Sequence, residues 1–227
     1  MQKVAMISGA SRGIGLAIAT ELSRRGYLLS LGVRDPSALI CRFDALVFPY
    51  EARDTNAGRR WVEATIERFG HIDVLVSNAG ICKHISLEDG TDELLEETLD
   101  INVKAPFRLI QAALPHLRRA GGARVVQIAS LSGKRVKNLN AGYQMSKHAA
   151  IALTHAVRRA GWDDGLRATA ICPGFVNTEM ATGIADLDPE AMTQPEDIAR
   201  LVANTIEMPN SASVAEILVN CRHEDLF

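Results

Sequence analysis

The chain has 227 residues, 47% of them hydrophobic, which suffices for one sizeable core but is short for two independent domains. We therefore expect a single globular domain over residues 1–227. The 25 lysines and arginines nearly balance the 27 aspartates and glutamates, for a net charge of -2. This balance argues against nucleic acid and anionic membranes as partners and favours a small-molecule ligand.

Short apolar runs alternate along the chain with longer helical patterns. Seven runs predict strands: KVAMIS, YLLSLGV, ALVFP, DVLVS, ARVVQIAS, RATAIC and AEILVN. Helices are expected near residues 14–24, 55–68, 92–117, 142–159 and 195–207. Residues 34–45 are too few for a crossover helix, so we expect one helical turn or an irregular loop there. The alternation predicts an α/β fold of the Rossmann type, a doubly wound parallel sheet with helices on both faces.

The stretch SGASRGIG, residues 8–15, lies between the first predicted strand and the first predicted helix. Gly9 permits a tight turn, while Gly13 and Gly15 let the backbone and the helix start approach a pyrophosphate. Unpaired N–H groups and the helix dipole would meet its negative charge. A plain tight turn fits the glycine spacing as well, but the position in the chain favours a phosphate site. The residues of this stretch that are expected to bind a cofactor are Gly9, Ser11, Arg12, Gly13, Ile14 and Gly15.

The stretch YQMSK places Tyr143 and Lys147 four residues apart, on one face of a predicted helix. A tyrosine with an ordinary pKa of about 10 exchanges protons poorly near neutrality unless a cation favours its phenolate. Lys147 could supply that cation and lower the pKa of Tyr143. Taken alone, the spacing also fits an unrelated tyrosine and lysine on a helix surface.

Several motifs together resemble the short-chain dehydrogenase/reductase family over nearly the whole chain. SGASRGIG is similar to its cofactor loop, and the other matches are SNAG at residues 77–80, INVKAPF with Asn102, IASLSG with Ser130, and CPGFVNTEM. Ser130 precedes Tyr143 by 13 residues, the family's usual interval. Two residues depart from the pattern, because Ser8 replaces the usual threonine and Ser77 replaces the usual first asparagine. These departures put the hydrogen-bond network of the cofactor loop in question.

The resemblance implies an oxidoreductase in which a nicotinamide cofactor carries a hydride to or from a carbonyl or secondary alcohol. It implies that Tyr143 exchanges the proton and that Ser130 hydrogen-bonds the same substrate oxygen. Lys147 would lower the Tyr143 pKa and hold the ribose, and Asn102 would help to place a water. Without the resemblance, Ser130 could be an ordinary strand-end serine, and Asn102 could bond local backbone within a helix.

The choice between NADP(H) and NAD(H) depends on residues near the adenosine ribose. Arg12 in the glycine loop and Arg34 after the second strand could pair with a 2′-phosphate. Val33 occupies the position where the family usually carries an acid. Asp35 is the complication, since it lies about 20 residues past the loop, where the acid that binds the NAD ribose is sought. We favour NADP(H) as the cofactor, with NAD as the alternative.

The resemblance assigns further cofactor contacts to Glu51, Asn78, Ala79, Gly80, Pro173, Gly174, Val176 and Thr178, in addition to Tyr143 and Lys147. The substrate pocket is expected near His84, Lys134, Val136, Asn138 and Phe175. This mixed set does not select one carbonyl or alcohol. A nucleotide-binding regulatory protein without turnover, or a structural subunit on the same scaffold, are the alternative functions.

The remaining expectations concern metals, location and association. The cysteines form no C-x-x-C pair, and no metal is predicted, since paired ligand spacing is absent among Cys82, His84, His148 and Cys172. No signal-like segment or run of about 18 apolar residues is present, so we expect a cytoplasmic protein. The family suggests a homodimer or homotetramer through the helices near 92–117 and 142–159. The apolar faces that support this could equally cover the sheet of the same chain, as with Leu109, Ala113 and Leu117.

Overall fold

The computed structural model describes residues 1–39, 43–182, 184 and 186–224. Its centre is a parallel sheet of seven strands in the order β3-β2-β1-β4-β5-β6-β7. The strands are β1 (Val4–Ser8), β2 (Leu28–Val33), β3 (Leu46–Pro49), β4 (Val74–Ser77), β5 (Arg124–Ile128), β6 (Arg167–Pro173) and β7 (Glu216–Val219). All seven predicted strands and the α/β fold class are confirmed. The order reverses direction between β1 and β4, and a crevice for ligands forms at such a point.

Six α-helices surround the sheet in the described residues. They are α1 (Gly13–Arg24), α2 (Ala57–Phe69), α3 (Asp92–Leu99), α4 (Ala105–Arg119), α5 (Ala141–Gly161) and α6 (Pro195–Glu207). Four predicted helices are confirmed to within two residues at each end. Across the described part of the chain, no helix has both the length and the apolar character needed to cross a bilayer.

The predicted helix over 92–117 is wrong as one uninterrupted α-helix. A π-helical segment, Asp100–Lys104, separates α3 from α4, and the Ala105 N–H donates to the carbonyl of Asp100 five residues earlier. Pro106 follows directly and has no N–H, so it cannot donate to a carbonyl one turn earlier. Such π segments often occur at functional sites, and this one contains Asn102.

Strand alternation divides the apolar core between the two faces of the sheet. On one face, Ile7 of β1 and Leu31 of β2 pack against α1 and α6. On the other face, Met6 packs with residues of α2 and α4, including Trp61 and Leu109. Helices therefore cover both faces of the strands, as predicted for a doubly wound sheet.

Three apolar residues of α4, which the sequence left open to either packing or association, belong to the core. Leu109, Ala113 and Leu117 are at most 1% exposed and lie in the cluster that covers the sheet. They are therefore not available to a second copy of the chain. Phe107, on the outer side of α4, is 53% exposed. The homodimer or homotetramer stays a prediction.

The connection after β2 includes the expected single helical turn, Pro36–Ala38. The carboxylate of Asp35 caps it by accepting from the backbone N–H and the hydroxyl of Ser37, at 2.9 and 2.6 Å. Residues 40–42 of the predicted connection lie outside the described residues.

Candidate active site

A cavity of about 1620 Å³ opens at the carboxyl ends of the central strands, where the strand order reverses. Clefts of this kind hold cofactors in doubly wound sheets. Many of the predicted cofactor residues line it: Gly9, Ser11, Arg12, Gly13, Ile14, Arg34, Glu51, Asn78, Ala79, Gly80 and Thr178. Gly15, Pro173, Gly174, Val176, Tyr143 and Lys147 are not among the described residues that line it.

Two glycines in the loop between β1 and α1 are required by its geometry. Gly9 has a φ of +65°, and a Cβ there would lie 2.9 Å from the Cα of Ala79. A Cβ at Gly15 would lie 2.2 Å from the carbonyl oxygen of Gly9, closer than any real contact. The loop therefore folds tightly back against the end of β4, as the sequence predicts.

The side chains of Ser8 and Asn78 tie the glycine loop to the end of β4. The Ser8 hydroxyl accepts hydrogen bonds from the N–H groups of Asn78 and Ala79 at 3.0 and 3.1 Å. In return, the Asn78 amide donates to the carbonyls of Ser8 and Gly9 at 3.1 and 3.0 Å. Serine in place of threonine thus keeps the connection that the sequence comparison put in question.

The start of α1 has the features of an anion-binding helix terminus. Arg12 precedes the helix without a side-chain hydrogen bond that caps it, and no acidic residue lies in the first turn. The first intrahelical acceptor is the Arg12 carbonyl, which receives the Leu16 N–H at 3.3 Å. Gly13 has a φ of +53°, and a Cβ there would approach the Thr178 side chain to 3.2 Å, so this position favours glycine. These residues fit a cofactor pyrophosphate.

Charged residues surround the side of the cleft where the adenosine would lie. Arg12 forms an ion pair with Glu179 across the cleft, and Arg34 is exposed on its wall. The carboxylate of Glu51 accepts the N–H of Arg53 at 3.1 Å. Asp35 is not among the described residues that line the cavity, and its carboxylate caps the turn after β2. Both arginines therefore reach the cleft, while the competing acid has a local structural role.

Asn102 joins the π-helical segment to the chain after β4. Its side chain accepts from the Ile81 N–H at 2.9 Å and donates to the Ile81 carbonyl at 2.9 Å. The same amide also donates to the Ser146 hydroxyl at 3.1 Å. Asn102 is only 3% exposed, so these bonds satisfy it in the interior and connect three elements.

Ser130, Tyr143 and Lys147 lie together beside the ends of β5 and β6. The Ser130 hydroxyl lies close enough to Tyr143 to affect the pKa of the phenol, and it donates to the Pro173 carbonyl at 3.4 Å. The ammonium of Lys147 lies 5.6 Å from the centre of the Tyr143 ring and donates to the Ile128 carbonyl at 3.1 Å. The phenol, the hydroxyl and the ammonium therefore form one polar group at the carboxyl edge of the sheet.

Burial controls the proton affinities of this group. Burial raises the pKa of Tyr143 above its usual 10.0, a nearby Cys82 adds to the rise, and the neighbouring Ser130 hydroxyl opposes it. Burial also lowers the pKa of Lys147 from 10.5 to about 8. The direction for Tyr143 is opposite to the one expected from the sequence, because desolvation of the phenolate outweighs its favourable neighbours.

Two polar residues that the sequence did not single out support this group. Asn140 caps α5 by accepting the Tyr143 N–H at 3.4 Å, and it also accepts the Ile85 N–H at 3.1 Å. Ser146 donates to the Tyr143 carbonyl at 2.7 Å and accepts from Asn102. The cap was detectable, since asparagine immediately before a helical pattern is a helix-start signal. The contact of Ser146 with Asn102 depends on tertiary structure.

The remaining predicted cofactor residues follow β6. The Gly174 N–H donates to the Val219 carbonyl at 2.8 Å, and Val176 pairs with Thr193 in an isolated bridge. Thr178 lines the cavity opposite Gly13 and donates to the Val176 carbonyl at 3.3 Å. Among the described residues, no three His, Cys, Asp or Glu side chains are grouped so that they could hold a metal ion.

The chain belongs to the short chain dehydrogenase family, which matches residues 3–188. Agropine synthesis reductase of Rhizobium rhizogenes is 43% identical over 98% of this chain and 53% of that protein, and a second protein of that name is 41% identical over 97% and 53%. The chain thus spans about half the length of these curated relatives.

Solved structures agree with the family assignment. An alcohol dehydrogenase from the archaeon Thermococcus sibiricus, complexed with 5-hydroxy-NADP, is 29% identical with a TM-score of 0.89, over 99% of this chain and 100% of that chain. A variant of actinorhodin polyketide ketoreductase with NADPH is 28% identical with a TM-score of 0.86, over 96% and 95%. The resemblance inferred from the motifs is therefore confirmed at the level of family and fold.

Proposed function

We propose that the chain transfers a hydride between NADP(H) and a small carbonyl compound or secondary alcohol. The observation that carries this proposal is the grouping of Ser130, Tyr143 and Lys147 at the carboxyl edge of the sheet, beside a cleft that fits a dinucleotide. A protein that only binds a nucleotide has no chemical need for all of these groups. The NADP and NADPH complexes named for the structural relatives support the same cofactor.

The cleft residues account for binding of the cofactor. Backbone N–H groups at the start of α1 hold the pyrophosphate, while Arg12 and Arg34 pair with the 2′-phosphate. When bound, NADP(H) supplies or accepts the hydride. The protein therefore has to orient the substrate, exclude water and move one proton.

Tyr143 is proposed to move that proton to or from the substrate oxygen. The phenol is protonated near neutrality, as donation to a carbonyl that is being reduced requires, but burial raises its pKa, so the donation needs a neighbouring cation that stabilises the phenolate. Ser130 hydrogen-bonds the same oxygen and fixes its direction. The Lys147 ammonium stabilises negative charge that develops on Tyr143 and holds ribose hydroxyls, and Asn102 keeps the neighbouring backbone in place.

Two measurements test the proposal. NADPH binding is followed by fluorescence titration, and turnover is followed by NADPH oxidation across a panel of aldehydes and ketones. We expect saturable binding and turnover with at least one carbonyl, and no turnover for Tyr143→Phe with any of them. Binding without turnover would favour a nucleotide-binding regulatory protein, and absence of binding would favour a structural subunit.

Cofactor preference is tested by comparing NADPH with NADH. Each lost charge-assisted hydrogen bond to a cation costs about 1.5–3 kcal/mol, so we expect an NADPH preference in kcat/KM of roughly tenfold to several hundredfold. Replacing Arg12 and Arg34 together by alanine should remove this preference mainly by weakening NADPH. A wild-type preference for NADH would instead assign the ribose contact to Asp35.

A further inference from the structure

Residues 220–224, called the strap below, follow β7 and contact the segments that follow β5 and β6. The carbonyl of Val219 accepts the Gly174 N–H at 2.8 Å. A Cβ on Gly174 would lie 2.9 Å from the side-chain oxygen of Asn220, so strap and loop are in close contact. The guanidinium of Arg222 lies 5.3 Å from the centre of the Phe175 ring. The strap is therefore fixed to the segment that follows β6.

The strap is also fixed to the segment that follows β5, through Glu224. The two carboxylate oxygens accept from Nε and Nη2 of Arg135 at 2.8 and 2.9 Å, and Lys137 approaches one of them to 3.2 Å. The Glu224 side chain is 5% exposed. Burial acts to raise its pKa, but the hydrogen bonds and cations outweigh that effect and lower it. Glu224 is therefore a buried anion held by a bidentate arginine.

Arg135 follows a single helical turn, Leu131–Gly133, which Ser130 caps at its start and Lys134 at its end. The backbone N–H groups of Lys134 and Arg135 both donate to the Leu131 carbonyl, and the Ser130 hydroxyl accepts the Ser132 N–H. A contact that fixes the position of Arg135 therefore also fixes the turn that Ser130 precedes.

The opposite side of the same turn is packed against α5. A Cβ on Gly133 would lie 2.5 Å from the carbonyl oxygen of Lys147, so no space remains between the turn and the helix. Lys134 adds a second anchor, since its ammonium pairs with Glu216 at 2.6 Å and Glu216 also binds His155 at 2.7 Å. The turn is thus held between the strap and the helix that carries Tyr143.

We propose that Glu224 is a positioning residue that acts through Arg135 to keep Ser130 aligned with Tyr143. The role in turnover depends on the proposed hydride-transfer function, but the mechanical coupling does not. Loss of the bidentate pair detaches the turn from the strap and leaves it held by α5 and by the Lys134–Glu216 ion pair. Displacements of about 1 Å at reacting groups can lower rates on the order of 100-fold, so a loosened turn lowers kcat.

The test compares Glu224→Gln with a matched control, Glu207→Gln. Glutamine keeps the shape of Glu224 but presents an amide to the cations, while Glu207 pairs with Arg25 at 2.6 Å in a different part of the fold. Hydrogen–deuterium exchange of a peptide covering residues 131–139 is the first measurement. We expect exchange to be about fivefold faster or more in Glu224→Gln and unchanged in Glu207→Gln. Unchanged exchange in a folded Glu224→Gln protein would overturn the coupling.

Steady-state turnover and NADPH binding are the second pair of measurements. We expect kcat for the best carbonyl of the panel to fall about tenfold or more in Glu224→Gln, with NADPH affinity within about twofold of wild type, since the strap lies outside the cofactor cleft. Glu224→Asp should recover part of the loss. Faster exchange with unchanged kcat would overturn the positioning role.

The test also covers a protein without carbonyl reductase activity and a Glu224→Gln variant that does not fold. If the wild-type protein reduces no carbonyl, the proposed function fails, and exchange of residues 131–139 still decides whether Glu224 holds the turn. If Glu224→Gln does not fold, Arg135→Lys carries the test, because lysine keeps the charge and loses the bidentate geometry. Exchange at wild-type rates in that variant would refute the coupling.

Discussion

Glu179 is expected to weaken NADPH binding, because it pairs with the arginine proposed to hold the 2′-phosphate. A phosphate that binds Arg12 must compete with this carboxylate. The two side chains are 65% and 72% exposed, so their ion pair is worth only about 0.2–1 kcal/mol. Glu179→Gln should therefore tighten NADPH binding by about 1.4- to 5-fold. NADH has no phosphate at this position, so its affinity should not change.

Fluorescence titrations with both cofactors at low and high salt measure this effect. Glu190→Gln is the matched control, since it makes the same change in net charge farther along the same segment. The gain for NADPH should shrink at high salt, because solvent ions screen exposed charges. Equal tightening of NADPH and NADH, or no tightening of NADPH at low salt, would refute the competition between Glu179 and the phosphate.

Three further variants test the residues beside the cleft. Tyr143→Phe should abolish turnover and leave the NADPH dissociation constant within a few-fold, as measured by fluorescence, because the hydroxyl supplies the proton and little binding; near-normal turnover would exclude Tyr143 from the chemistry. Lys147→Met should raise the free energy of unfolding at pH 7 by up to roughly 3 kcal/mol, since a pKa of about 8 instead of 10.5 means that folding disfavours the ammonium. Between pH 8 and pH 10.5 the unfolded chain binds more protons than the folded chain, so the free energy of unfolding of the wild type rises with pH over this range. In urea melts, the difference in stability between Lys147→Met and the wild type should therefore shrink from pH 8 to pH 10.5 and vanish above it. A stability difference that does not change with pH would contradict this. Asn102→Ala should lower the free energy of unfolding by about 2 kcal/mol or more, because the backbone N–H and carbonyl of Ile81 both lose their buried partner. If urea melts place the variant within roughly 0.5 kcal/mol of the wild type, the range of neutral surface changes, the two backbone groups have found other partners.

The fold was predictable because its strands are local and strongly patterned. Each buried strand is a short apolar run between turn signals, and parallel pairing follows from the helices between them. The π-helical segment was not predicted, since its apolar spacing resembles that of a continuous helix. Pro106 lies beside the segment and cannot donate a backbone hydrogen bond, but Pro115 lies inside α4 without ending it, so proline alone does not locate the interruption.

The candidate site was predictable where chemistry and sequence spacing coincide. Glycines that must pass close to backbone, and a tyrosine and lysine on one helix face, can be recognised without a structure. The Tyr143 pKa was predicted in the wrong direction because sequence spacing shows the neighbouring ammonium but not the burial. The contacts of Ser146 and Glu224 could not be predicted from the sequence either, since their partners, Asn102 and Arg135, lie 44 and 89 residues away in the chain.

The π-helical segment also sets the angular phase between two helices. One residue of an α-helix turns the chain by about 100°, so the extra residue of a π turn rotates everything before it relative to everything after it by about that angle. This rotation lets α3 pack on α5 while α4 packs on α2. Deleting a single residue from 100–104 would restore a continuous helix and turn one of these two faces away from its partner. The number of residues in the π-helical segment, more than their identity, therefore sets the relative orientation of α3 and α4.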